Sequence, residues 1–177
     1  MFIAREKYRT NIIEYVLYIF HIEDVIRVNK FSLEALEKTI IPSYNLPDNQ
    51  LNEVRAWYSD LIDQMKKDEV LESGHITPVK ELIFKLNDLH IELLNSLDEE
   101  RYIELYHWSS GFIRELKAKM KHPELTEVEV CLNGLYEYML LKMKGQNISM
   151  ETTEAMSVFS QMMRYLSKKY NKRFRTS

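Results

Sequence analysis

The side chains best suited to chemistry lie near the start of this 177-residue chain. Asn11, Glu14, Tyr18, His21 and Asp24 recur at three- and four-residue spacing, which on a helix places them along one stripe. Glu23 and Arg27 lie four apart on a neighbouring stripe and are spaced to pair. Acids beside a histidine in a shielded pocket make an acid–base site, because burial and neighbouring charge shift their proton affinities. The commoner use of such a stripe is as the one solvated face of an otherwise apolar helix. A second set is His75, Asp88 and His90, whose imidazole and carboxylate donors suit zinc or iron. His90 stands three residues before the core position Leu93, where a hydrogen-bonded packing role is more usual. With Trp57 added, the candidate pocket residues are Glu14, Tyr18, His21, Glu23, Asp24, Arg27, Trp57, His75, Asp88 and His90. No metal site or cofactor is assigned.

Other chemistry finds less support. Glu104 and His107 form a Glu-x-x-His pair, but a di-iron bundle needs two such pairs and two further glutamates. The other pair, Glu72 and His75, is interrupted by Gly74. Cys131 sits beside the core position Leu132 and reads as a small buried hydrophobe. As the sole cysteine it excludes an internal disulfide and a cysteine-based zinc cluster. Neither the nucleophile-elbow pattern nor a phosphate loop is present. After Glu154 the chain carries Arg164, Lys168, Lys169, Lys172, Arg173 and Arg175 with no acid among them. Lys168, Lys169, Lys172, Arg173 and Arg175 are the candidates for meeting phosphate or nucleic acid, with aromatic residues interleaved. A solvated helix end leading into a frayed tail over residues 168–177 is the simpler account.

Helices must position all of these groups. Gly and Pro number four each, together well under half the usual share of about 12%. That scarcity argues against turn-rich β folds, and the isolated glycines argue against a phosphate-binding α/β fold. The first helix is expected over residues 11–28, apolar around most of its circumference. A short one follows Ser32 and stops before Pro42. A third runs from Asp48 to about Leu71 on the stripe Leu51, Val54, Tyr58, Leu61 and Met65, with Gly74 as its stop. Thr77 as N-cap and Pro78 open a fourth. A fifth spans residues 98–120, with Ser109-Ser110-Gly111 as a kink or break. The capping box Thr126–Glu129 starts a sixth, and a seventh follows Ser149. The expectation is an all-α fold, a single-domain antiparallel bundle of six or seven helices over residues 1–177.

Several strings, in this order and spacing, resemble a known family. They are Asn11-Ile-Ile-Glu-Tyr-Val-Leu-Tyr18, Glu23-Asp-Val-Ile-Arg27, Trp57-Tyr-Ser-Asp-Leu-Ile62, Gly74-His75, Leu86-Asn-Asp-Leu-His90, and Glu127-Val-Glu-Val-Cys131 followed by Leu135-Tyr136. Together they resemble an uncharacterised bacterial all-helical family, a domain of unknown function, over residues 11–170. Ser109-Ser110-Gly111 departs from the proline-containing break expected of that family. The resemblance implies an all-helical fold and brings no activity with it.

The most apolar run, residues 15–22, is too short to span a membrane and is followed by Glu23-Asp24 rather than a cleavage site. A cytoplasmic location is the expectation. The first functional reading is a non-enzymatic helical protein that acts through a protein partner or as a homodimer. The alternative is a ligand- or metal-binding bundle with a polar pocket at the 11–28 helix and the His75/His90 region, which an enzyme would also need. A third is weak nucleic-acid or anionic-membrane binding through the basic tail. Seven of the nine methionines lie at or after Met120, suited to core gap-filling or to a partner helix.

Overall fold

The computed structural model describes residues 1–120 and 122–174. Among these residues there are eight α-helices and no strand: α1 Phe2–Thr10, α2 Ile12–Val28, α3 Leu33–Thr39, α4 Asp48–Lys67, α5 Thr77–Leu94, α6 Glu100–Met120, α7 Glu127–Met143 and α8 Met150–Phe174. A 3₁₀ turn, Ile41–Tyr44, joins α3 to α4. None of these helices is long and apolar enough to cross a membrane.

The count exceeds the expected six or seven because of α1. That helix buries only Ala4 and is otherwise charged or exposed, so it has no apolar stripe to read. It survives by leaning on α2, since a helix of this length is marginal alone. One residue, Asn11, joins them. Its backbone is extended, and its side-chain oxygen accepts from the N–H groups of Ile13 and Glu14, starting α2. Ser167 of α8 donates to the same oxygen at 2.9 Å, and Asn171 donates to the Thr10 carbonyl at 2.8 Å.

α2 is the central element, touching α1, α4, α7 and α8. Ile12, Val16, Ile19, Ile22 and Ile26 are buried around more than one face, as its sequence predicts. α4 buries Val54, Tyr58, Leu61 and Met65 as expected. It stops at Lys67, earlier than the sequence suggests, in a cap where Val70 N–H returns to the Met65 carbonyl. Glu69 takes the left-handed position there (φ 57°). Ile76, not Thr77, caps α5, because Thr77 N–H is already held by Asp68 at 2.6 Å.

α6 is continuous through Gly111. Ser109, fully buried, turns its hydroxyl back onto the Leu105 carbonyl at 2.8 Å, which removes the need for a break. The two helix-interior glycines then differ in purpose. A Cβ on Gly134 would stand 2.7 Å from Leu116 Cδ2 and 3.6 Å from Phe159, so α7 approaches α6 and α8 closely there. A Cβ on Gly111 would meet nothing within 4 Å. Gly111→Ala is therefore expected to stabilise the fold by about 1 kcal/mol, read as a rise of a few degrees in Tm.

Of the basic tail expected over residues 168–177, residues 168–174 belong to α8. Tyr170 is buried, Lys169 pairs with Glu99, and Arg173 pairs with Glu92. Arg175 lies outside the described residues.

Candidate functional site

Glu23 lies on the inward face of α2 and is fully buried. A buried carboxylate must have its oxygens satisfied. Glu23 Oε1 accepts from Ile76 N–H at 2.9 Å, and Oε2 meets His75 Nδ1 at 2.6 Å. The imidazole lies flat on Phe20, with 3.6 Å between ring centroids and 8° between planes. Phe20 and Glu23 are three apart, so one helical face supplies both the stacking surface and the acceptor. A carboxylate only accepts, so His75 Nδ1 donates to it, and in the neutral form of the ring this places the lone pair on Nε2. Nε2 has no hydrogen-bond partner among the described residues.

The next turn of α2 anchors the loop that carries His75. Arg27 donates to Asp24 at 2.9 Å, to the Val70 carbonyl at 3.2 Å, and to the Gly74 carbonyl. Gly74 takes φ +82°, which a side chain would resist. Tyr136 of α7 donates to the other Asp24 oxygen at 2.6 Å, and burial together with that bond pushes its own hydroxyl pKa up. The expected Glu23–Arg27 pairing is therefore replaced. Arg27 turns to Asp24 and two loop carbonyls, while Glu23 is occupied by the loop's imidazole and N–H.

His75 opens onto a cleft of about 420 Å³ between α5, the loop before it, and the start of α7. Phe20 and Phe84 supply apolar wall, and Lys80, Asn133 and the His122–Glu124 pair (2.9 Å) supply polar groups. A cleft of this size with a few convergent polar groups has the form of a small-molecule site. Lys80, His122 and Asn133 are not apparent from sequence, since they come from separate elements. Gly74, His75 and Tyr136 all fall in the strings that carry the family resemblance.

The remaining candidates do not join this cleft. Glu14 is nine residues from Glu23, about 180° around the helix, and pairs with Lys7 at 3.1 Å. Tyr18 stacks on Trp57 at 6.3 Å and shares a hydroxyl cluster with Tyr44 and Tyr58. Burial and the Tyr44 hydroxyl push the pKa values of Tyr18 and Tyr58 well above the ordinary range. His21 is half-buried, and its Nδ1 has no partner among the described residues. The metal candidates are dispersed. His75 and His90 are separated by nearly the full length of α5, on the order of 20 Å. Asp88, two residues from His90, is exposed on the other side of the helix. No group of three or more His, Cys, Asp or Glu side chains converges for a metal among the described residues. Cys131 is buried, which pushes its thiol pKa up and leaves it unreactive.

His90 has a separate structural circuit. Its Nδ1 lies 2.7 Å from the Tyr102 hydroxyl and its Nε2 3.2 Å from Glu127, which also accepts from Tyr106 at 3.1 Å. The His90 bond, with that of Tyr106, holds the Glu127 carboxyl below the ordinary range against the opposing effect of burial. A carboxyl depressed in the folded state stabilises it above the unfolded pKa and loses that contribution as pH falls through the folded value. Glu127→Gln is therefore expected to cost stability at pH 7 and progressively less below about pH 4. Denaturant midpoints at pH 7 and pH 3 check this; an equal loss at both would contradict it.

Neither the curated proteins nor the solved structures hold a match to this chain. A family model does match, over residues 1–176. That span takes in Glu23, His75, Tyr136 and both walls of the cleft, and the chain belongs to the family described as a domain of unknown function, DUF4924.

Proposed function

We propose that this protein binds a small polar molecule in the cleft beside His75, with His75 Nε2 accepting a hydrogen bond from it. The observation that carries this reading is the Glu23–His75 pair. A fully buried carboxylate fixes the ring's tautomer and orientation, Phe20 fixes its plane, and the remaining nitrogen is left open. A histidine that only bridged the loop to α2 would need no cleft beside it. The ligand class is a small molecule bearing an O–H or ring N–H donor, flat enough to lie between the apolar walls. Ligand-observed NMR with a panel of hydroxylated and N–H heteroaromatic fragments tests it. Hits should be lost in His75→Ala. Hits that survive that substitution, or a panel with none, would refute the reading.

A second reading is self-association, favoured by one face of α5. Phe84 and Ile91 are seven residues apart, and 62% and 50% exposed, so they form one apolar strip on the outer face. Sedimentation velocity at micromolar concentration decides this one. A concentration-independent monomer, unchanged in Phe84→Glu, counts against it.

A further inference from the structure

A second concavity, of about 390 Å³, runs between α2, α7 and α8 and shares no lining residue with the His75 cleft. Its floor is apolar and thioether-rich, built from Leu17, Leu135, Met139 and Met163, with the exposed Met143 at its edge. Methionine is flexible and polarisable, so such a floor adapts to an alkyl chain. The rim carries a charge surplus. Lys142 and Arg164 both border the groove, and neither makes an ion pair among the described residues. The Lys142 ammonium rests 4.4 Å over the Tyr138 ring. The one acid on the rim, Glu14, is already held by Lys7 at 3.1 Å and by Asn11 at 2.9 Å. An apolar floor with unpaired cations at its edge is complementary to an amphiphile with an anionic head.

Size selects among such occupants. The groove follows α7 from Leu135 to Met143, about 12 Å along the helix. That accommodates a medium-length alkyl chain, and the volume lies within the roughly 300–1,000 Å³ of small-ligand sites. A stable protein interface needs about 800 Å² from each partner, more than a groove of this length offers. We infer that the groove binds a medium-chain alkyl carboxylate, its chain on the methionines and its carboxylate on the Arg164 guanidinium. Arg164 is the stronger head-group candidate, because its planar fork matches a carboxylate and a lysine does not.

Decanoate is the probe, titrated into protein labelled at the methionine methyl groups and followed by NMR. The Met139, Met143 and Met163 methyls should shift together and saturate, while Met65, fully buried between other helices, stays fixed. Arg164→Ala should weaken decanoate binding roughly tenfold or more, with Arg164→Lys between the two. Arg164 is exposed, so both variants should keep the wild-type Tm. Decanol, which lacks the charge, should bind weakly and equally to wild type and Arg164→Ala. Four outcomes would overturn the assignment: shifts spread over all methyls, decanol matching decanoate, no effect of Arg164→Ala, or groove methyls that answer only to protein concentration. The last would place a second copy of the chain in the groove.

Discussion

Glu23→Ala is expected to destabilise the protein by about 2–4 kcal/mol through its lost hydrogen bonds, lowering Tm by several degrees. The side chain is fully buried and accepts from both His75 and Ile76 N–H. Its removal leaves a backbone donor without a partner inside the protein and releases the loop that leads into α5. Glu23→Gln separates the two contributions. Glutamine keeps the shape and one acceptor but turns an NH₂ toward a second donor, so it should recover only part of the loss. Denaturant midpoints at unchanged m measure both variants. A loss below about 1 kcal/mol for Glu23→Ala would show that the loop holds without this anchor.

The other large effect belongs to the core. Phe159 is fully buried on α8, and its ring closes the space above Gly134 at 3.6 Å from where a Cβ would stand. Phe159→Ala removes a fully buried ring that packs beside Gly134 of α7. The expected cost is about 3–5 kcal/mol. Placing alanine at Gly134 should be better tolerated in a Leu116→Ala background than in the wild type, because Leu116 Cδ2, 2.7 Å from the new methyl, is the atom that would have to move. Equal effects in the two backgrounds would argue against the packing described here.

Most helices were legible from apolar spacing and caps. The Thr126–Glu129 capping box forms as the residue pattern predicts, and Val54, Tyr58, Leu61 and Met65 are buried together on α4. α1 was not legible, because Ala4 alone faces inward and a single small residue makes no period. The site was half legible. Glu23, Asp24, Arg27 and His75 do converge, but Glu14, Tyr18, Trp57 and His90 go elsewhere. A three-to-four spacing drifts around the helix over four turns, so residues at its two ends face different neighbours. Spacing also paired Glu23 with Arg27, whereas a carbonyl-rich loop distant in sequence outcompetes that local pair. Long-range partners such as Tyr136, 112 residues from Asp24, leave no trace in local pattern.

The junction at Asn11 bears on how the molecule opens. Its side chain starts α2 and is bonded by Ser167, and the adjacent Thr10 carbonyl is bonded by Asn171. These contacts bridge 156 and 161 residues of sequence, so they form only after almost the whole chain has been gathered. Amide protons in α1 and in the last turns of α8 should therefore exchange as one cooperative unit, released by a single sub-global opening well before the α2–α7 centre gives way.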